Sequence, residues 1–312
     1  MKRHLLALVL VLLLVISLSA CGGSSSSSTS SSGNSGKSAS VDSNSSSDAE
    51  KAPDAGKVSS KDITVDEQII FDQDGIKVTV TGFTMGEGLF SFGPSLTVLI
   101  ENDSTQGITI QTRDASINNI MVETIMSSDV AIGKKANTEI TFMSSYLDRG
   151  GIEQVKDIEF RLHIFDAETW DTIIDSDLIH IRTSVDDSFV QTIDDSGIPA
   201  LEQDGVRIVV KELDDVDSFW GADIYLFIEN NSGQDITVQA RDTSINGFMI
   251  DPIFSSDVLN GKVAFTELTF FDSDLQDNGI ETIETLELSF HIFNTASWDT
   301  LFDSDPVTIT FS

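Results

Sequence analysis

The sequence predicts an all-β protein made of two tandem antiparallel β-sandwiches, and three observations carry that expectation. The first is an internal duplication: from Asn102 onward, adding 128 to a residue number gives its counterpart, so Asn102 returns as Asn230. Arg113-Asp114-Ala115-Ser116-Ile117-Asn118 recurs as Arg241-Asp242-Thr243-Ser244-Ile245-Asn246, and Trp170-Asp171-Thr172 as Trp298-Asp299-Thr300. The second is period-two alternation of apolar residues, as in Ile76-Val78-Val80, Ile158-Phe160-Leu162-Ile164 and Leu286-Leu288-Phe290-Ile292, which puts one face of each strand on a core. The third is the recurrence of turn residues between these runs. Asp74-Gly75 and Asp204-Gly205 in particular favour tight hairpins with positive φ.

The N-terminus reads as an export address. Lys2 and Arg3 precede an apolar run from Leu5 to Leu18. As a helix that run reaches roughly 21 Å, short of a hydrocarbon core of roughly 30 Å, so a signal peptide fits better than a spanning anchor. Leu18-Ser19-Ala20-Cys21 resembles a bacterial lipobox. The resemblance implies cleavage after residue 20 and a diacylglycerol on Cys21, which becomes the mature N-terminus at the outer face of the membrane. The alternative is an ordinary secreted protein cut nearby. Cys21 is the only cysteine, so the exported chain has no intrachain disulfide and its folded part depends on apolar cores. Acyl chains contribute about 0.8 kcal/mol per buried methylene, which holds a protein at a membrane without a spanning helix.

Residues 21–61 read as a flexible tether, with Ser24 to Ser32 all Ser or Thr. Such composition offers too little apolar surface to offset the entropy of ordering. Residues 62–184 form the first sandwich, 185–197 an acidic, Ser-bearing linker, and 198–312 the second. A linker this short brings the two sandwiches into contact, although relative motion remains the default expectation. Ile224-Tyr225-Leu226-Phe227-Ile228 is apolar on both faces and reads as a central strand covered on its outer side by a loop or by the neighbouring sandwich. No long 3.6-residue period is present; residues 152–157 and their copy offer one turn of helix at most.

The net charge is −33. That balance argues against nucleic acid, whose phosphates need clustered Lys and Arg, and against direct electrostatic adhesion to an anionic membrane or teichoic acid. It leaves solubility, or attraction of cations and basic partners. No Gly-rich phosphate loop, Gly-x-Ser-x-Gly elbow or cysteine nucleophile is present, so the chain does not read as an enzyme. Paired carboxylates carry little information in so acidic a sequence, though a glycosidase pair stays open.

The chain resembles cell-surface lipoproteins of Gram-positive, clostridial-type bacteria with tandem immunoglobulin-like domains of unknown function. The residues that carry the resemblance are Ile100-Glu101-Asn102-Asp103-Ser104 and Ile228-Glu229-Asn230-Asn231-Ser232, each followed by Ser-Ile-Asn. It implies fold and location and supplies no catalytic residues.

Candidate sites come from the duplication. Trp170-Asp171 and Trp298-Asp299 follow a strand and precede Asp-Ser-Asp; the indole suits stacking on a sugar and the carboxylates suit its hydroxyls or calcium. The plainer reading is a Trp plugging a corner beside a polar turn. Arg113 and Arg241, with Asp114, Asp242, Asn118 and Asn246, form the other polar block. There Asp and Asn would fix turns through the backbone while Arg pairs across strands. Asp272, Asp274 and Asp277 are calcium candidates whose spacing does not match an EF-hand loop. His163 and His291 recur without a Cys or second His nearby, which speaks for half-buried strand residues over zinc ligands. Function is expected to be a binding or adhesion module for an envelope protein or glycan. A passive spacer or scaffold, and a calcium-binding or carbohydrate-active protein, are the alternatives.

Overall fold

A computed structural model describes residues 63–86, 91–214 and 221–311. The signal peptide, Cys21 and the tether lie outside the described residues. The described chain is all-β, and it falls within one compact unit.

The first repeat contains β1 (Gln68–Gln73), β2 (Ile76–Thr84), β3 (Ser95–Asn102), β4 (Ile108–Ile117), β5 (Ile120–Met121), β6 (Thr124–Ile125), β7 (Ser127–Val130), β8 (Lys134–Phe142), α1 (Ser144–Arg149), β9 (Asp157–Asp166), β10 (Thr172–Asp175) and β11 (Ile179–Arg182). The second contains β12 (Ile198–Gln203), β13 (Val206–Asp214), β14 (Gly221–Asn230), β15 (Ile236–Ile245), β16 (Phe248–Met249), β17 (Ser255–Val258), β18 (Lys262–Phe271), α2 (Asp272–Asp277), β19 (Thr285–Asn294), β20 (Thr300–Asp303) and β21 (Val307–Thr310). Among the described residues the first repeat has eleven strands and the second ten, because the sheet edges break into pieces of two to four residues.

In the first repeat a five-stranded sheet, β1-β2-β3-β8-β6, packs on a sheet containing β10, β9, β4 and β5. In the second, β12-β13-β14-β18 packs on β16-β15-β19-β20. Asp74-Gly75 and Asp204-Gly205 make the expected two-residue hairpins, with φ of 54° and 80° in the first and 49° and 82° in the second. The alternating residues interleave as predicted: Val78, Val80, Val98, Ile158 and Phe160 are inaccessible in the first core, and Ile208, Ile224, Ile228 and Leu286 in the second.

Two short helices replace the expected single turn at residues 152–157. They lie earlier, at 144–149 and 272–277, each anchored by one buried leucine, Leu147 or Leu275. Residues 152–156 are irregular instead, because the chain re-enters the core there and buries Ile152 and Val155.

The Glu-Asn-x-Ser segments turn out to be folding devices. Asn102 is fully buried; its Nδ2 donates to the carbonyls of Gln106 (2.9 Å) and Val130 (2.8 Å), and its Oδ1 accepts from the Ser104 amide (3.0 Å) and hydroxyl (2.6 Å). Asn230 repeats the arrangement with Gln234, Val258 and Ser232. All four hydrogen-bonding positions of each amide are used, which a buried Asn requires.

The repeats share one sheet. β5 pairs in parallel with β18, Ile120 opposite Val263 and Met121 opposite Ala264, so the two inner sheets fuse into one of ten strands. The outer face of the second repeat's half is apolar: Val209, Phe227 and Phe265 lie side by side across β13, β14 and β18 and belong with Val263 to the first repeat's apolar cluster. The central strand read as apolar on both faces is therefore covered by the neighbouring repeat. The corresponding row in the first repeat is Thr79, Leu99 and Asn137. Only one of the two repeats has an outer face built to be covered.

Charged side chains lock the joint. Lys262 pairs with Glu159 and donates to Asn119 Oδ1 (2.9 Å), while Arg149 pairs with Glu267 and lies over the Tyr225 ring at 5.0 Å.

Candidate functional site

The duplicated tryptophans sit on identical platforms. At the end of β9, Asp166 Oδ1 accepts from the amides of Glu168 and Thr169 (2.8 Å each), and these bonds hold its carboxyl below the usual carboxylate range. At the end of β19, Asn294 Oδ1 accepts in the same way from Ala296 (3.0 Å) and Ser297 (2.8 Å). This turn closes with the Trp amide bonded to the carbonyl of the same Asp or Asn, at 3.0 and 2.9 Å. It forces Trp170 to φ of 66° and Trp298 to φ of 64°.

Each indole then lies nearly parallel to a buried phenylalanine. Trp170 stacks on Phe165 at 5.6 Å and 19°, and Trp298 on Phe293 at 5.5 Å and 18°. Behind each Phe stands a histidine, His163 at 5.3 Å and His291 at 5.1 Å, whose Nδ1 is 2.6 Å from Asp175 or Asp303. The histidines lie on strands, as their isolation in the sequence suggests, and they are buried rather than half-buried.

Despite this stacking, both tryptophans are 73% exposed. They do not plug a corner. A left-handed conformation costs a non-glycine residue roughly 1–2 kcal/mol, and an aromatic pair returns about 0.5–1.5 kcal/mol beyond its area. Stacking offsets that backbone cost, and the larger part of each indole is still left to solvent. What each platform presents to solvent is a rigid indole face with a carboxylate beside it, exposed Asp171 or Asp299.

The other candidates separate. Arg241 Nη1 reaches Asp303 (3.5 Å), the carboxylate that also holds His291, and so belongs to the polar end of the second platform. Arg113 does not; it is exposed in a cleft of about 330 Å³ between the repeats, with Asp114, Glu123, Tyr146, Asp257 and Thr266. Asp114 was expected to fix a turn. Instead it sits at φ of 55° in a bulge of β4 and pairs with Arg161 across the sheet (3.2 Å). The bulge turns it out of strict alternation, which is why adjacency to Arg113 does not decide its partner. Asn118 and Asn246 do fix the chain through the backbone: each amide donates to one carbonyl and accepts from two successive amides.

Burial raises the carboxyls of Asp114, Glu123 and Glu267 above their ordinary values, and the Asp257 charge pushes Asp114 and Glu123 further the same way. Arg161 works against the rise at Asp114, and Arg149 at Glu267. Burial also pushes the Tyr146 hydroxyl up to about 12. Sequence reasoning missed this cleft because it exists only across the β5–β18 joint. The two-faced apolar strand around Phe227 was the available signal that such a joint exists.

Asp272, Asp274 and Asp277 lie on α2. Asp272 Oδ2 accepts from Gln276 one turn on (2.5 Å), and the Asp274 carbonyl accepts from Asn278. Among the described residues, no three His, Cys, Asp or Glu side chains come close enough together to hold a metal ion.

Comparison with known proteins gives no identity. No family model and no curated protein matches the chain. Among solved structures, the Salmonella enterica SafA pilin in complex with the SafB chaperone aligns over 70% of this chain and 89% of that one, at 11% identity and a TM-score of 0.21. The Amycolatopsis orientalis exo-chitosanase CsxA aligns over 69% of this chain at 10% identity and a TM-score of 0.20, and the red sea bream transglutaminase over 78% at 10% and 0.18. This chain spans 25% of the chitosanase and 31% of the transglutaminase. Likenesses at this level carry no functional argument.

Proposed function

We propose that this is a lipid-anchored surface protein of the Gram-positive type whose folded part is a non-enzymatic binding module for an envelope glycan. The observation that carries the reading is the pair of exposed tryptophans, each in a disfavoured backbone conformation, backed by a phenylalanine and flanked by a carboxylate. A flat indole face suits the C–H face of a pyranose, and the adjacent Asp suits its hydroxyls. Two such platforms on one chain give avidity for a repeating polymer without a deep pocket. The lipobox-like segment ending at Cys21 and the Ser-rich tether support a place on the outer face of the membrane, raised into the wall.

Co-sedimentation with purified peptidoglycan tests it. The wild-type chain is retained, and a Trp170→Ala/Trp298→Ala chain stays in the supernatant with its melting temperature little changed. Equal retention of both chains would remove the platforms from the binding account. That outcome would favour the passive spacer, a reading the continuous ten-stranded sheet supports through its stiffness.

A further inference from the structure

The joint between the repeats has a second copy of both its halves, and in each copy the edge is exposed. The receiving half is β5, where Ile120 is inaccessible and Met121 packs against the second repeat's core. Its counterpart is β16, where Phe248 is 47% and Met249 66% exposed. The inserting half is the N-terminal part of β18, whose edge pairs with β5. Its counterpart is the N-terminal part of β8, where the edge away from β3 is paired by β6 only at Thr141 and Phe142.

The charges of the joint are kept in part. Lys262 and Glu159, which close the internal joint, correspond to Lys134 and Glu287; both are exposed and neither has an ion-pair partner among the described residues. Lys135, next along β8, is already paired with Glu101 within its own chain, so Lys134 is the cation left at this edge, while α2 and the segment after it put Asp274, Asp277, Glu281 and Glu284 on the second repeat. The match is not complete. Arg149 and Glu267 correspond to Asp277 and Glu139, which repel, and the covered row Val209-Phe227-Phe265 corresponds to Thr79-Leu99-Asn137.

We infer that a second copy of this chain occupies the β16 edge, its β8 lying parallel to β16 with Lys135 opposite Phe248, Ala136 opposite Met249 and Lys134 on Glu287. The contact is heterologous, so it leaves one free β8 and one free β16 at the ends and extends into a head-to-tail array. The incomplete match makes each contact weaker than the internal joint. Such an array therefore forms where the chain is concentrated, and salt loosens it. This inference stands apart from the glycan reading and does not depend on it.

Cysteine trapping tests it on the full chain, with Cys21→Ser in every variant. Directly opposed strand partners lie within disulfide range. Ala136→Cys with Met249→Cys in one chain is expected to give a ladder of dimers, trimers and higher species under mild oxidation. Each single variant stays monomeric, and a mixture of the two singles gives dimers only. Adding Glu287→Lys to the double variant reduces the ladder severalfold. A double variant that crosslinks no more than an Ile69→Cys control would overturn the inference. So would Met249→Cys alone dimerising as strongly as the double variant, because β16 would then pair with itself, and so would a ladder indifferent to Glu287→Lys.

Discussion

Phe227 meets Phe265 edge-on at 5.4 Å on the outer face of the second repeat, and the first repeat has Leu99 and Asn137 at the same two positions. That difference decides which repeat is covered and which does the covering. Replacing Phe265 with Ala is expected to destabilise the protein by about 3–5 kcal/mol, the usual cost of a buried Phe. Because the loss falls on the joint, chemical denaturation should change from one transition to two. Small-angle scattering should show a longer particle before either repeat unfolds.

Asn102→Ala and Asn230→Ala each remove an amide that satisfies one buried and one part-buried carbonyl and a turn serine. Leaving such groups unpaired costs about 1–3 kcal/mol per change. Equal losses for the two variants in urea titrations are expected, since the two networks are the same.

Thr243 has the opposite fault. Its hydroxyl is buried with no hydrogen-bond partner, whereas the first repeat has Ala115 at this position. Thr243→Val keeps the volume and removes the unsatisfied group, and should raise stability by about 1 kcal/mol. The melting temperature checks it.

Stability should also fall as pH rises above the unfolded carboxylate values of about 4. The carboxyls of Asp114, Glu123 and Glu267 are raised by burial, so the native state holds their protons more tightly than the unfolded chain. Their stabilising contribution is complete below the unfolded values of about 4 and is lost as pH passes the raised native ones. Asp194, lowered to about 2, and Asp166, also lowered, act with the opposite sign, but only as pH falls below about 4. Asp114→Asn should flatten the fall of the melting temperature above about pH 4.

Much of the fold was legible because its signals are local. Alternation gave the strands, Asp-Gly gave the hairpins, and the offset of 128 showed that every solution appears twice. The joint was half legible. Phe227 announced a covered outer face, but nothing near it in sequence names β5 as the strand that reaches it. The Trp platforms were found as a motif with two readings, sugar stacking or a plugged corner, and only the turn that Asp166 and Asn294 set through backbone bonds, which leaves each indole exposed, decides against the corner. Asp114 escaped for a related reason: a bulge breaks the period on which face assignment rests.

The most direct test of the glycan reading is a titration of the 15N-labelled protein with soluble peptidoglycan fragments, following the indole N–H resonances. The account predicts that the Trp170 and Trp298 signals both shift and saturate together, and that each is missing in its own Trp→Gly variant while the fold persists. Indole signals that stay unmoved at saturating fragment, with shifts elsewhere or nowhere, would contradict it.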